Sequence, residues 1–104
     1  MSLRYCCFFF LLLCHYSLSA QDKIPVFTSG QEGHATYRIP AIISVPNGDL
    51  LAFAEGRVKG SADFGDINLV LKRSSDRGKS WSSLQTLVDY DSLQAGNPAP
   101  VVDL

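Results

Sequence analysis

The chain has 104 residues, 46% of them apolar and 18% charged, with a formal net charge of −1. That balance is ordinary for a globular domain and lacks the basic excess that a nucleic-acid partner asks for. No like-charge run, heptad repeat or low-complexity tract points to coiled coil or disorder.

Residues 1–4 are basic through Arg4 and the amino terminus, 5–14 (YCCFFFLLLC) form an unbroken apolar run, and 16–20 (YSLSA) end in small residues. That order is the signature of a secretory signal peptide, and the run is half the ~20 residues a membrane helix needs. Cleavage is expected after Ala20, although Leu18 is bulky for its place, which makes 1–20 the signal and 21–104 the exported part. Lipidation at Cys14 is the alternative, against which the bulky Leu13 argues. The destination is open among secretion, periplasm and, in a eukaryote, the lysosome. All three cysteines (Cys6, Cys7, Cys14) lie in the signal segment, so the exported part must be held by a hydrophobic core without disulfides.

Beyond residue 20 no helical periodicity appears; short β-type runs alternate with turn residues. Residues 24–28 (IPVFT) read as an edge strand because Pro25 lacks an N–H. Residues 41–45 (AIISV) read as a buried strand, and Pro46-Asn47-Gly48-Asp49 as a hairpin turn in which Asn-Gly tolerates positive φ at both central positions. The return strand is 50–55, followed by a Gly/Ser/Asp loop over 56–65. Residues 66–73 (DINLVLKR) alternate, with Ile67, Leu69 and Leu71 on one face and Asn68, Val70 and Lys72 on the other. A polar turn spans 74–80, a fourth strand 83–88, a loop 89–97, and a further strand starts at Pro98. Such a meander cannot cover both its faces and its edges alone and resembles one blade of a radial array. A closed propeller takes on the order of 160–360 residues, so the chain is expected to be the N-terminal portion of a longer protein.

The sharpest motif is Ser74-Ser75-Asp76-Arg77-Gly78-Lys79-Ser80-Trp81, an S-x-D-x-G-x-[ST]-[WF] pattern. Asp76 is suited to accept N–H bonds within the turn, Gly78 supplies positive φ, and Trp81 folds back as an apolar plug. This is similar to the Asp-box between the third and fourth strands of a sialidase-type blade, a structural staple to which no catalytic role is given. Tyr37-Arg38-Ile39-Pro40, then Arg57 nineteen residues on, then an Asp-rich loop, then the Asp-box closely resemble the N-terminal part of exo-α-sialidases (neuraminidases). The resemblance implies an all-β fold, with this chain forming the first blade and the start of the second of a six-bladed β-propeller.

The resemblance also implies roles. Sialic acid carries a carboxylate on its anomeric carbon, and fixed guanidinium forks bind such a group bidentately without losing charge. Arg38 matches the first of the family's three carboxylate-binding arginines. Arg57 matches a second pocket arginine outside that triad, which contacts substrate. Glu55 either orients one of these guanidiniums or is a solvated strand-end carboxylate. The family's general-acid aspartate matches Asp63, in a loop able to fold over a pocket, and a general acid needs a raised pKa. Asp66 is the alternative near the substrate, or else a local cap. Asn97 either reaches the substrate or fixes the turn before Pro98. The tyrosine nucleophile, its glutamate and the remaining triad arginines belong to later blades. That tyrosine replaces a carboxylate nucleophile, which the substrate's own charge would repel. Tyr37 is expected beside the arginine clamp, Tyr90 has no role, and His34 reads as a surface loop residue.

The expected activity is retaining exo-α-sialidase hydrolysis of terminal sialic acid from glycoproteins, gangliosides and oligosaccharides, with sialylated glycans as partners. No cofactor, metal or nucleic acid is implied. A glycan-binding propeller without catalysis, or an Asp-box propeller serving as a protein-interaction scaffold, are the alternatives.

Overall fold

The computed structural model describes residues 22–104. The expectations for the export segment, its cleavage site and the three cysteines lie outside the described residues. The described part is all-β: β1 (Thr36–Ser44), β2 (Leu50–Arg57), β3 (Ile67–Ser74) and β4 (Gln85–Val88) form one antiparallel sheet in the order β1-β2-β3-β4. Each strand pairs with its neighbour in sequence, so every connection is a local turn or loop.

β1 begins five residues earlier than the apolar run suggests, because Thr36, Tyr37 and Arg38 pair with Arg57, Gly56 and Glu55 before the register slips between Arg38 and Ala41. The slip falls on Ile39-Pro40. Pro40 cannot donate to the ladder, and Ile39 sits at φ 53°. A β-branched residue in the left-handed region just before proline is an unusual and strained choice, and a bulge is where a sheet accommodates it. β2 likewise runs on through Gly56 and Arg57, so the loop that follows starts at Val58, whose N–H donates to the Asp66 carbonyl.

In the β1–β2 turn, Gly48 donates to the Val45 carbonyl and takes φ 90°, while Asn47 stays out of the left-handed region. Asn47 instead uses its side-chain oxygen to accept the Asp49 N–H at 2.9 Å. The turn thus differs from the expected double positive-φ form: one glycine supplies the reversal and Pro46 starts it.

The two faces of β3 are not divided as the apolar alternation suggests. Asn68, Val70, Lys72 and Ser74 are buried, whereas on the other face only Ile67 is buried and Leu69 and Leu71 are half-buried. The segment before β1 explains this, since it lies over the face of Asn68 and Lys72. Residues 24–28 are not a strand but an irregular stretch whose Phe27 ring stands 5.2 Å from Tyr37 and 5.6 Å beneath the Lys72 ammonium. Glu32 pairs with Lys72 and accepts the Leu84 N–H, and Lys72 holds its carboxyl below the usual range. His34 is 6% exposed rather than a surface residue; its Nε2 accepts from Asn68 Nδ2 at 3.2 Å and its ring rests on Gly56. Beside these polar groups the core is small: Ala52, Ala54, Ile67, Val70 and Ala95. Residues 98–104 form no strand: Pro98 and Pro100 bring no N–H, and no neighbouring strand lies beside them among the described residues.

Between β3 and β4, Asp76 accepts the Ser80 N–H at 2.9 Å together with the Ser74 and Ser80 hydroxyls, while the Gly78 N–H donates to Ser74 Oγ at 2.8 Å. Arg77 and Gly78 both have positive φ, and Trp81 and Leu50 flank Gly78. The bonds from Ser80 lead the causes that hold the Asp76 carboxyl down to about 2.

Two outcomes follow for stability. Gly56→Ala would put its Cβ 2.5 Å from the His34 ring, and overpacking of this kind costs roughly 1–3 kcal/mol, readable as a lower denaturation midpoint. Because the folded-state pKa of Asp76 lies below its ordinary 3.8, its stabilising effect is complete above that value and fades as pH falls toward about 2. The melting temperature of Asp76→Ala should therefore lie below the parent's at pH 7, with the gap closing through that window.

Candidate functional site

Alternation along a strand puts residues i and i+2 on one face, and antiparallel partners share a face. Glu55 and Arg57 therefore point the same way from β2, and Arg38, paired with Glu55, joins them from β1. All three sit at one end of the sheet, beside the loop that leaves β2.

Arg57 is 4% exposed in its side chain and Glu55 2%. Arg57 Nε and Nη2 both donate to Glu55 Oε2, at 3.2 and 2.7 Å. Its Nη1 donates outward, to the Ser61 carbonyl at 2.6 Å and to Asp63 Oδ1 at 2.8 Å. Glu55 raises the pKa of this guanidinium further, with a smaller contribution from Asp63. Arg38 lies at the rim, 49% exposed, and donates from Nη1 to the same Asp63 Oδ1 at 2.9 Å. One carboxylate oxygen thus bridges two guanidiniums, one buried and one exposed.

Asn97 arrives from the far end of the described chain. Its N–H donates to Glu55 Oε1 at 2.9 Å, and its φ is 54°. Ahead of it, Gln94 bridges to Ile67 and the Ala95 N–H donates to the Ile67 carbonyl at 2.8 Å, which lays this segment alongside β3. Arg38, Glu55, Arg57, Asp63, Gln94 and Asn97 line a polar hollow of about 280 Å³. Asp66 lines an adjoining hollow with Arg57 and the 59–65 loop instead. Tyr37 is not beside the arginines: its ring faces the opposite side, against Phe27 and His34, and its hydroxyl donates to the Gln31 carbonyl at 2.7 Å.

The electrostatics suit an anion. Arg57 spends four donor contacts on Glu55, Ser61 and Asp63, while Arg38 makes one contact among the described residues, leaving most of its fork for an incoming carboxylate. Asp63 departs from the expectation for a general acid. The hydrogen bond from Arg57 and the charges of Arg38 and Arg57 hold its carboxyl below the usual range, and at 75% exposure the slight desolvation that opposes them does not offset them. No cluster of three His, Cys, Asp or Glu side chains suited to a metal occurs among the described residues.

No protein-family model matches the chain. Individual relatives do. An exo-alpha-sialidase of Aspergillus fumigatus is 40% identical over 98 aligned residues, covering 79% of this chain and 24% of that protein. An exo-alpha-sialidase of Arthroderma benhamiae is 44% identical over 91, covering 82% of this chain and 22% of that protein. Sialidase-3 of Bos taurus is 39% identical over 88 residues, covering 80% and 20%. The chain belongs to the exo-alpha-sialidase family. It spans about a quarter or less of the length of these curated relatives.

Of the two alternatives for Glu55, the structure shows the one in which it orients a guanidinium, that of Arg57; its second contact to Asn97, the Ser61 carbonyl and Gln94 are participants the motifs do not indicate. The i, i+2 spacing of Glu55 and Arg57 is a readable signal for their pairing. The others depend on loop conformation, which no strand periodicity encodes.

If Asp63 is bridged as described, a carbon NMR titration should place its midpoint below 3.8, and Arg38→Ala should move that midpoint part of the way back. A midpoint at or above 3.8 in the unsubstituted protein contradicts the bridge.

Proposed function

We propose that this chain is the N-terminal portion of an exported, retaining exo-α-sialidase, contributing the first blade and the start of the second of a six-bladed propeller. The observation that carries this reading is the convergence of Arg38, Arg57 and Asp63 on one polar hollow. Arg38 would grip the carboxylate of a terminal sialic acid on a glycoprotein, ganglioside or oligosaccharide. Asp63 would protonate the leaving oxygen. The nucleophilic tyrosine, its glutamate and the other triad arginines would come from later blades, and the transition state would be oxocarbenium-like.

A carboxyl with a depressed pKa is ionised near neutral pH and holds no proton to donate, and substrate binding offers the correction. A carboxylate taken up by Arg38 competes with Asp63 for that guanidinium, withdraws one of the charges that lowers its pKa and sets a like charge nearby. Both effects push the Asp63 pKa upward. The same depressed carboxyl favours a second reading, a glycan-binding propeller in which Asp63 never gains a proton. The export segment remains part of the proposal: amino-terminal sequencing of exported protein should begin near Gln21.

The deciding assay is turnover of a fluorogenic sialoside by the full-length protein that contains this segment. Asp63→Ala should lower kcat by about 10²–10⁴-fold, and Arg38→Lys should raise KM by about 10-fold. Residues 21–104 alone should show no turnover. Binding of sialoside without any turnover by the full-length protein would favour the lectin and reject the enzyme.

A further inference from the structure

We propose that Glu55 is a positioning residue that sets the spacing between the two sides of the site. One carboxylate oxygen, Oε2, receives both inward N–H groups of Arg57, the side chain that carries Asp63 and the Ser61 carbonyl. The other oxygen, Oε1, receives the main-chain N–H of Asn97, 42 residues further along the chain. Glu55 is 2% exposed, so no water competes for these oxygens from bulk solvent, and its burial is matched by the guanidinium it holds. The catalytic carboxylate proposed above and the segment bearing Asn97 are therefore referenced to the same side chain. The inference rests on the sialidase reading for its kinetic consequences but not for its geometry.

Gly96 supplies a separate observation. Its φ lies outside the left-handed region, so its backbone admits any side chain, yet a Cβ there would stand 2.6 Å from Glu55 Oε1 and 3.1 Å from Gln94 Nε2. The absence of a side chain at 96 lets the Asn97 main chain approach the carboxylate. An alanine at 96 must move either the Glu55 carboxylate or the main chain that carries Asn97, and so disturb their contact, while leaving every charge in the site intact.

The test uses Glu55→Gln and Gly96→Ala in the full-length protein. A glutamine has one acceptor oxygen and an NH₂ group that only donates, so it cannot accept from both the Arg57 fork and the Asn97 N–H as the two oxygens of Glu55 do. Either the Arg57 Nε–H or the Asn97 N–H should lose its protection from hydrogen exchange in Glu55→Gln. In both variants kcat should fall, by about 10²-fold for Glu55→Gln, while KM changes much less, since a displacement of about 1 Å in catalytic geometry acts on the chemical step. If Glu55→Gln does not fold, Gly96→Ala decides the matter through the same readouts. Unaltered exchange at both protons, or an unaltered kcat in a folded variant, overturns the proposal. So does loss of kcat in Glu55→Gln with Gly96→Ala behaving as the parent. Should the unsubstituted protein turn over no sialoside, the sialidase reading fails by itself, and the exchange measurement alone decides the role of Glu55.

Discussion

The buried pair between Glu55 and Arg57 is the constraint on which the site depends. Two charges taken out of water at a strand end are tolerated because each satisfies the other and because their remaining polar atoms also find partners. On the Glu55 side that partner is the Asn97 N–H; on the Arg57 side it is Ser61 and Asp63. The pair converts the end of β2 into a rigid mount, from which a polar loop and a returning segment are both hung. A loop such as 58–66, rich in Gly, Ser and Asp, has little apolar surface with which to order itself. Its carbonyl and carboxylate contacts to one fixed guanidinium supply that order.

A second constraint operates on the opposite face. The segment before β1 brings Phe27, Glu32 and His34 over β2 and β3, so that face is closed by a mixture of ring stacking, an ion pair and hydrogen bonds rather than by large aliphatic side chains. The small residues Ala52, Ala54 and Gly56 leave the room for this covering. Because Tyr37 belongs to that covered face, its neighbour Arg38 is directed to the other one, and the bulge at Ile39-Pro40 interrupts the pairing immediately after it, before the ladder resumes at Ala41. The difference between the faces, one covered by the segment before β1 and one carrying Arg38, Glu55 and Arg57, thus follows from strand alternation.

Much of this was legible in the sequence where local chemistry dominates. The four strands, the turn at Gly48 and the turn around Asp76 each rest on residues whose conformational preferences act over a few positions. The strand boundaries are less legible: Arg38 precedes the strand expected at 41–45 and Arg57 falls in the loop expected over 56–65, but pairing across the hairpin carries both into the ladder. The irregular course of residues 24–28 and the burial of His34 follow from tertiary covering that no periodicity reports. Similarly, alternation in β3 identified two faces without revealing that the more polar one is buried, because the covering segment is itself polar. The motifs single out Arg38, Arg57, Asp63 and Asn97, which the structure brings to one hollow, whereas the lowered pKa of Asp63 depends on two guanidiniums from different strands meeting at one oxygen.

Glu55 and Arg57 form one buried unit, and the coupling between them is its most direct measure. A double-mutant cycle on kcat/KM in the full-length protein, built from Glu55→Gln, Arg57→Lys and the double variant, should be strongly non-additive, with the double variant little worse than either single one. Losses that simply multiply would show that the two side chains act independently and would contradict the account.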